Sequence, residues 1–248
     1  MRGASTGRFY MADMFLSRGR ALPRRGFLRV AGASTAAAAL VLAGCAKTAV
    51  TPTVFDPNLL NLGTGDAGLL NYLYLLKQLQ AAFYQKVVDT PPADLRPGEK
   101  AAFDDVRDHE LVHRETLRYA LAATAYDVAL PKPLPFDFSG FALGTRAGVL
   151  AAAQQLEDLG VAAYAGALRL LKASASVALL AKIASVEARH AAFVRDLRTP
   201  GSFADDDVVV SAAPLQSVSL AKTPTQVVAE TNAFFLPVVV SVALLPTA

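Results

Sequence analysis

Three histidines occur in the 248 residues, and two of them follow a glutamate at the same spacing. Glu110 and His113 lie in "DHELVHRETL"; Glu187 and His190 lie in "SVEARHAAF". Three residues apart on an α-helix, a carboxylate and an imidazole share one face. An oxygen and a nitrogen ligand presented together form half of a transition-metal site. A single Glu-x-x-His is weak evidence, because helix surfaces are rich in glutamate, so the surroundings decide. Around the first pair, Phe103, Val106, Glu110, His113, Leu117 and Leu121 follow in steps of three and four; around the second, Ile183, Glu187, His190, Val194 and Leu197 do the same. Both pairs therefore face a core. An ionised carboxylate in a core is costly unless it is paired or bound to metal. His109, next to Glu110, points about 100° away from that face and reads as a surface residue.

Four helices must position these groups. The first is expected from Asp66, a plausible N-cap, to Val88, ahead of Pro91 and Pro92. The second opens near Pro97 and runs to Ala123. A connection over 126–144, with three prolines and no helical period, leads to a third helix over 145–172. After a break at "ASAS" the fourth ends before Thr199-Pro200. Two short connections flanking one long crossover define an all-α four-helix bundle made of two hairpins.

The hairpins are related to each other. The Glu-x-x-His pairs are 77 residues apart, and "LKQLQAAFY" (76–84) aligns with "LEDLGVAAY" (156–164) at an offset of 80. Leu76 matches Leu156, Leu79 matches Leu159, Ala82 matches Ala162 and Tyr84 matches Tyr164. On these residues the chain resembles the ferritin-like superfamily, in particular exported bacterial ferritin-like domain proteins related to desiccation-associated proteins, over roughly residues 60–198. That resemblance implies a di-metal scheme with one Glu from each of two helices and a Glu-x-x-His from each of the others. Glu110 and His113 match one motif, Glu187 and His190 the other, and Glu157 matches the third-helix carboxylate. The first-helix carboxylate is absent: Lys77 stands opposite Glu157 in the repeat, and Gln80 one turn on. A protonated lysine has no lone pair to give a metal. Three carboxylates balance one divalent ion plus the Lys77 ammonium, whereas two divalent ions would leave unbalanced charge in the core.

Three states of the site follow: one iron or manganese ion with Lys77 in place of the second; no metal, with Lys77 paired to the carboxylates; or a looser two-metal site with Lys77 turned outward along its apolar stem. An ammonium within reach of two carboxylates favours the metal-free state. Tyr84 and Tyr164 read as helix-interface residues beside the site. "DDD" at 205–207 reads as a solvated turn, since no spaced calcium-ligand pattern follows.

The remaining segments concern location. Residues 1–44 hold seven Arg and one Asp, so the excess of 24 basic over 21 acidic side chains belongs to the leader, and the rest of the chain is slightly acidic. Once the leader is set aside no basic patch remains, and no nucleic-acid partner is expected. "PRRGFLRVAGASTAAAALVLAGC" joins Arg24 and Arg25, similar to a twin-arginine export signal, to an apolar run too short for a span and a lipobox-like Leu42-Ala43-Gly44-Cys45. Cys45 is the sole cysteine, which excludes an intramolecular disulfide, and it stands where the resemblance to a lipobox implies a lipidated residue. The expected organisation is a signal peptide over 1–44, a tether over 45–65, the bundle over 66–198, and an extension over 199–248 with one helix at Thr223-Pro224 and an irregular apolar tail. The chain thus reads as a lipid-anchored protein of the bacterial cell envelope, whose partner is membrane lipid through Cys45. Its function is either metal handling at a degenerate site or a metal-free scaffold related to stress or desiccation.

Overall fold

The computed structural model describes residues 58–210 and 218–247. Arg24, Arg25 and Cys45 lie outside the described residues. Four long helices carry the architecture: α1 (Gly65–Asp89), α2 (Glu99–Leu121), α3 (Arg146–Leu168) and α4 (Ser174–Arg198). They form two antiparallel hairpins, α1 with α2 and α3 with α4, joined by the long crossover, so the fold is an all-α bundle. Among the described residues, no helix is long and apolar enough to cross a membrane.

The apolar stripes lie where their spacing places them. Phe103, Val106, Leu117 and Leu121 of α2 and Ile183 and Val194 of α4 are buried. α1 is different, because apolar residues surround it. Leu69, Leu73, Leu75, Leu79 and Phe83 are all but inaccessible, since α1 is covered by more than its bundle partners. Each such side chain contributes about 1.5–3 kcal/mol by leaving water. The extra cover comes from the crossover and the C-terminal extension. Phe83 packs edge-on against Phe138 and Phe141, and Phe234 packs against both of these. Asn71 of α1 satisfies the crossover backbone, donating to the Thr124 carbonyl at 2.8 Å and accepting from the Tyr126 amide at 2.9 Å.

Element ends differ from the sequence reading in ways that have local causes. Asp66 does not cap α1; Thr64 holds the N-cap position. The Asp66 carboxylate reaches instead to the amides of Lys172 (3.0 Å) and Ala173 (2.8 Å), pinning the α3–α4 connection to the start of α1. α2 begins at Glu99, after Gly98 at φ 87°, so Pro97 lies before the helix. α3 stops at Leu168 because Arg169 and Leu170 turn tightly onto the Gly166 and Ala167 carbonyls. At Gly166 the chain of the extension passes so close that a Cβ would lie 1.9 Å from the Lys222 carbonyl oxygen.

The ends of the described chain meet. Strand β1 (Leu59–Asn61), which the sequence reading placed in the tether, pairs in parallel with β4 (Val239–Ser241), and Leu60 and Leu62 are buried. A short antiparallel pair, β2 (Val209–Val210) with β3 (Val218–Ser219), precedes the expected fifth helix, α5 (Pro224–Thr231). Thr223 and Gln226 form a capping box at its start. Arg146, at the start of α3, grips Glu99 of α2 through two nitrogens at 2.6–2.9 Å and the Leu197 carbonyl of α4 at 3.0 Å, which ties three helices together at one end.

Candidate metal centre

Lys77, Glu110, Glu157 and Glu187 are each wholly buried, one from each helix, and His113 and His190 are 8 % and 6 % exposed. The structure therefore brings these six side chains into one centre. Two groupings have ligand atoms that lie within 4.8 Å of one another: Glu110, His113 and Glu187; and Glu110, Glu157 and His190.

Lys77 does not turn outward. Its ammonium donates to Glu110 Oε2 at 2.6 Å and to Glu187 Oε2, and it sits 5.7 Å from the centre of the Tyr164 ring. Burial works against its charge, yet Glu110, Glu187 and Glu157 overcome it and hold the amine above the usual lysine range. Burial likewise opposes the charge of Glu187, but Lys77 and His113 outweigh it and lower that carboxyl to about 2. Glu187 Oε1 lies 3.0 Å from His113 Nδ1, a close contact off the hydrogen-bond direction.

Glu157 is in the opposite condition. It bonds neither to Lys77 nor to a histidine: its nearest imidazole, His190, has Nδ1 3.9 Å from Oε2. Both oxygens lack a well-formed hydrogen bond. Burial, then the charges of Glu110 and Glu187, push its carboxyl well above the usual range; Lys77 and the nearby Tyr84 hydroxyl only partly offset this. His190 Nδ1 also hydrogen-bonds Glu110 Oε1 at 3.1 Å, so Glu110 divides its oxygens between Lys77 and His190.

Two further residues shape the centre. Gln80 donates to the Leu156 carbonyl at 3.4 Å, and its buried Oε1 has no hydrogen-bond partner among the described residues. Gly160, its counterpart in the repeat, gives it room: a Cβ there would lie 3.1 Å from Gln80 Nε2 and 3.3 Å from Glu187 Oε2. Tyr84 and Tyr164 are completely buried, and proximity to the carboxylates joins burial in raising both hydroxyls well above their usual range.

His109 is exposed, as its position beside Glu110 implies, and its Nδ1 also lies 3.0 Å from His190 Nε2. The third histidine thus touches the centre from outside, across a surface groove of about 430 Å³ that it lines with Val106, Val112, Val186, Arg189 and Phe193. Asp206 and Asp207 lie in an exposed turn, as expected, and from it Asp207 meets Arg195 at 2.6 Å; Arg195 also grips Asp158.

Tested by its donors, the centre has the groups to hold a metal ion. Glu110 Oε1, Glu157 and His190 Nδ1 offer two carboxylates and an imidazole, suited to iron or manganese, with the unpartnered Glu157 oxygens among them. In the other grouping, Lys77 engages both carboxylates. No curated protein matches the chain. The sequence profile of the ferritin-like domain matches residues 65–200, the span of the four helices. With this match over more than half its length and the bundle it forms, the chain belongs to the ferritin-like family.

Proposed function

We propose that this is a ferritin-like protein that holds a single iron or manganese ion, with Glu110, Glu157 and His190 as ligands and the Lys77 ammonium in place of a second ion. The observation that carries this reading is the contrast between two buried carboxylates: Glu187 is compensated by Lys77, and Glu157 is left with no well-formed hydrogen bond. An uncompensated buried carboxylate either takes a proton or takes a cation. One bound cation with Lys77 balances Glu110, Glu157 and Glu187 if all three are ionised.

A single ion of this kind supplies Lewis-acid and one-electron redox chemistry. The chain supplies the rest. Glu110 and Glu157 neutralise charge, His190 fixes one ligand direction, and Lys77 supports Glu110 from the opposite side. The buried surroundings exclude water.

A second reading is the metal-free envelope scaffold, and Lys77 favours it by pairing with two of the three carboxylates. In that state burial and the charges of Glu110 and Glu187 push the Glu157 carboxyl toward its neutral form. Metal analysis after reconstitution with iron(II) or manganese(II) separates the readings. We expect one ion per chain in the wild type and two in Lys77→Glu. Two in the wild type overturn the one-ion reading, and none in either protein leaves the scaffold. We further propose that the protein is exported through the Arg24-Arg25 signal and anchored to the envelope by lipid on Cys45. Cys45→Ala is then expected to move the protein from the membrane fraction to the soluble one; unchanged membrane association refutes the anchor.

A further inference from the structure

His190 meets a polar group at each ring nitrogen. Nδ1 faces Glu110 Oε1 at 3.1 Å, and Nε2 faces Nδ1 of His109 at 3.0 Å. The two rings are nearly parallel, 10° apart, with centroids separated by 5.2 Å. The Glu110 carboxylate, already held by Lys77, can only accept a hydrogen bond. In a neutral His190, Nδ1 then carries the proton and Nε2 is bare, so His109 donates to it.

Ligation through Nδ1 requires the opposite tautomer. Nδ1 must then be bare, and Nε2 must carry a proton and find an acceptor. His190 is only 6 % exposed, so solvent does not readily meet that requirement. A carboxylate beside Nε2 could only accept and an ammonium could only donate, whereas an imidazole does either. His109 is such a group, and its exposure leaves its other nitrogen free to exchange protons with water.

Resting on the one-metal reading, we propose that His109 is a positioning residue that lets His190 exchange tautomers, releasing Nδ1 for metal while Nε2 stays hydrogen-bonded. The protons balance. The Nδ1 proton of His190 is released to water, the Nδ1 proton of His109 passes to His190 Nε2, and His109 Nε2 takes one proton from water. The pair carries two ring protons before and after, and its charge is unchanged. His113 lacks this device. Val186 precedes Glu187 as His109 precedes Glu110, and its side chain offers His113 no hydrogen-bonding group.

The test uses zinc(II) as a redox-silent probe on the full chain. Long-range proton–nitrogen NMR is expected to show His190 protonated on Nδ1 without zinc and on Nε2 with it. His109→Phe keeps a stacked ring and removes the nitrogen, and is expected to bind zinc about 10–100-fold more weakly. His109→Gln, whose amide can donate or accept, is expected to stay within about threefold of the wild type. The metal-free melting temperature of each variant separates these effects from loss of fold. If His109→Phe cannot be prepared folded, the wild-type spectra and His109→Gln decide. Equal affinity in the wild type and His109→Phe, or no tautomer change on loading, overturns the exchange and leaves the one-metal reading standing. No zinc binding by the wild type overturns both.

Discussion

The two halves of the centre have nearly the same side chains and different surroundings. On one side, Glu187 is bonded to Lys77 and contacts His113, which has the apolar Val186 at the position matching His109. On the other, Glu157 lacks a well-formed hydrogen bond, and His190 is hydrogen-bonded both to Glu110 and to an exposed His109. A repeated hairpin supplied both halves, and Lys77 separates their chemistry. The ammonium satisfies one half permanently and leaves the other with a demand for a proton or a cation. Motif residues alone do not reveal this division; it depends on which carboxylate the lysine reaches.

The largest effect is expected from removing that lysine. Lys77→Met leaves Glu110 and Glu187 buried without their ammonium and should destabilise the metal-free protein by about 3–5 kcal/mol in denaturant unfolding. A loss below about 1 kcal/mol would mean that the halves are not divided by Lys77. Next in size is the contrast between the histidines. His190→Phe should weaken manganese(II) or iron(II) binding by more than about 100-fold, beyond the usual 10–100-fold cost of an outer-shell change. His113→Phe should change it by less than about threefold on the same argument. Equal losses in isothermal titration would remove the asymmetry.

The smallest effect is the most informative about charge. The Glu157 carboxyl is raised, so the folded protein keeps a proton that the unfolded chain releases above its ordinary pKa of 4.5. Stability is therefore lost as pH rises from that value toward the folded pKa. Glu157→Gln removes this loss and should raise the melting temperature of the metal-free protein at pH 7, each kcal/mol recovered being worth about 2–4 °C at this chain size. The gain should grow with pH and vanish below the ordinary carboxylate pKa. Glu187 has the opposite sign: its pKa of about 2 gives a contribution present above 4.5 and lost as pH falls through about 2. Glu187→Gln should accordingly destabilise at neutral pH, and stabilisation by both variants would contradict the account.

Much of this was legible in the sequence because bundle geometry is periodic. The steps of three and four placed Glu110, His113, Glu187 and His190 inside, and the offset of 80 set Lys77 against Glu157 before any coordinates. His109 was not legible, because periodicity fixes a residue's angle on its own helix but not what a neighbouring helix presents beside it. Its contact depends on how close α2 and α4 pass, and the groove between them has no sequence signature. The β1–β4 pairing was also hidden, since three-residue strands nearly 180 positions apart leave no pattern, and Leu59–Asn61 read as tether. The Asp66 bond to Lys172 and Ala173 escaped for the same reason: Asp66 reads as an N-cap of its own helix, but the loop it holds comes from the other hairpin.

Anomalous diffraction from crystals of the full chain loaded with manganese(II) or iron(II) tests the division most directly. The account predicts one peak per chain, between Glu110, Glu157 and His190, with Lys77 still bonded to Glu187. Two peaks, a single peak between Glu110, His113 and Glu187, or no peak at saturating metal would contradict it.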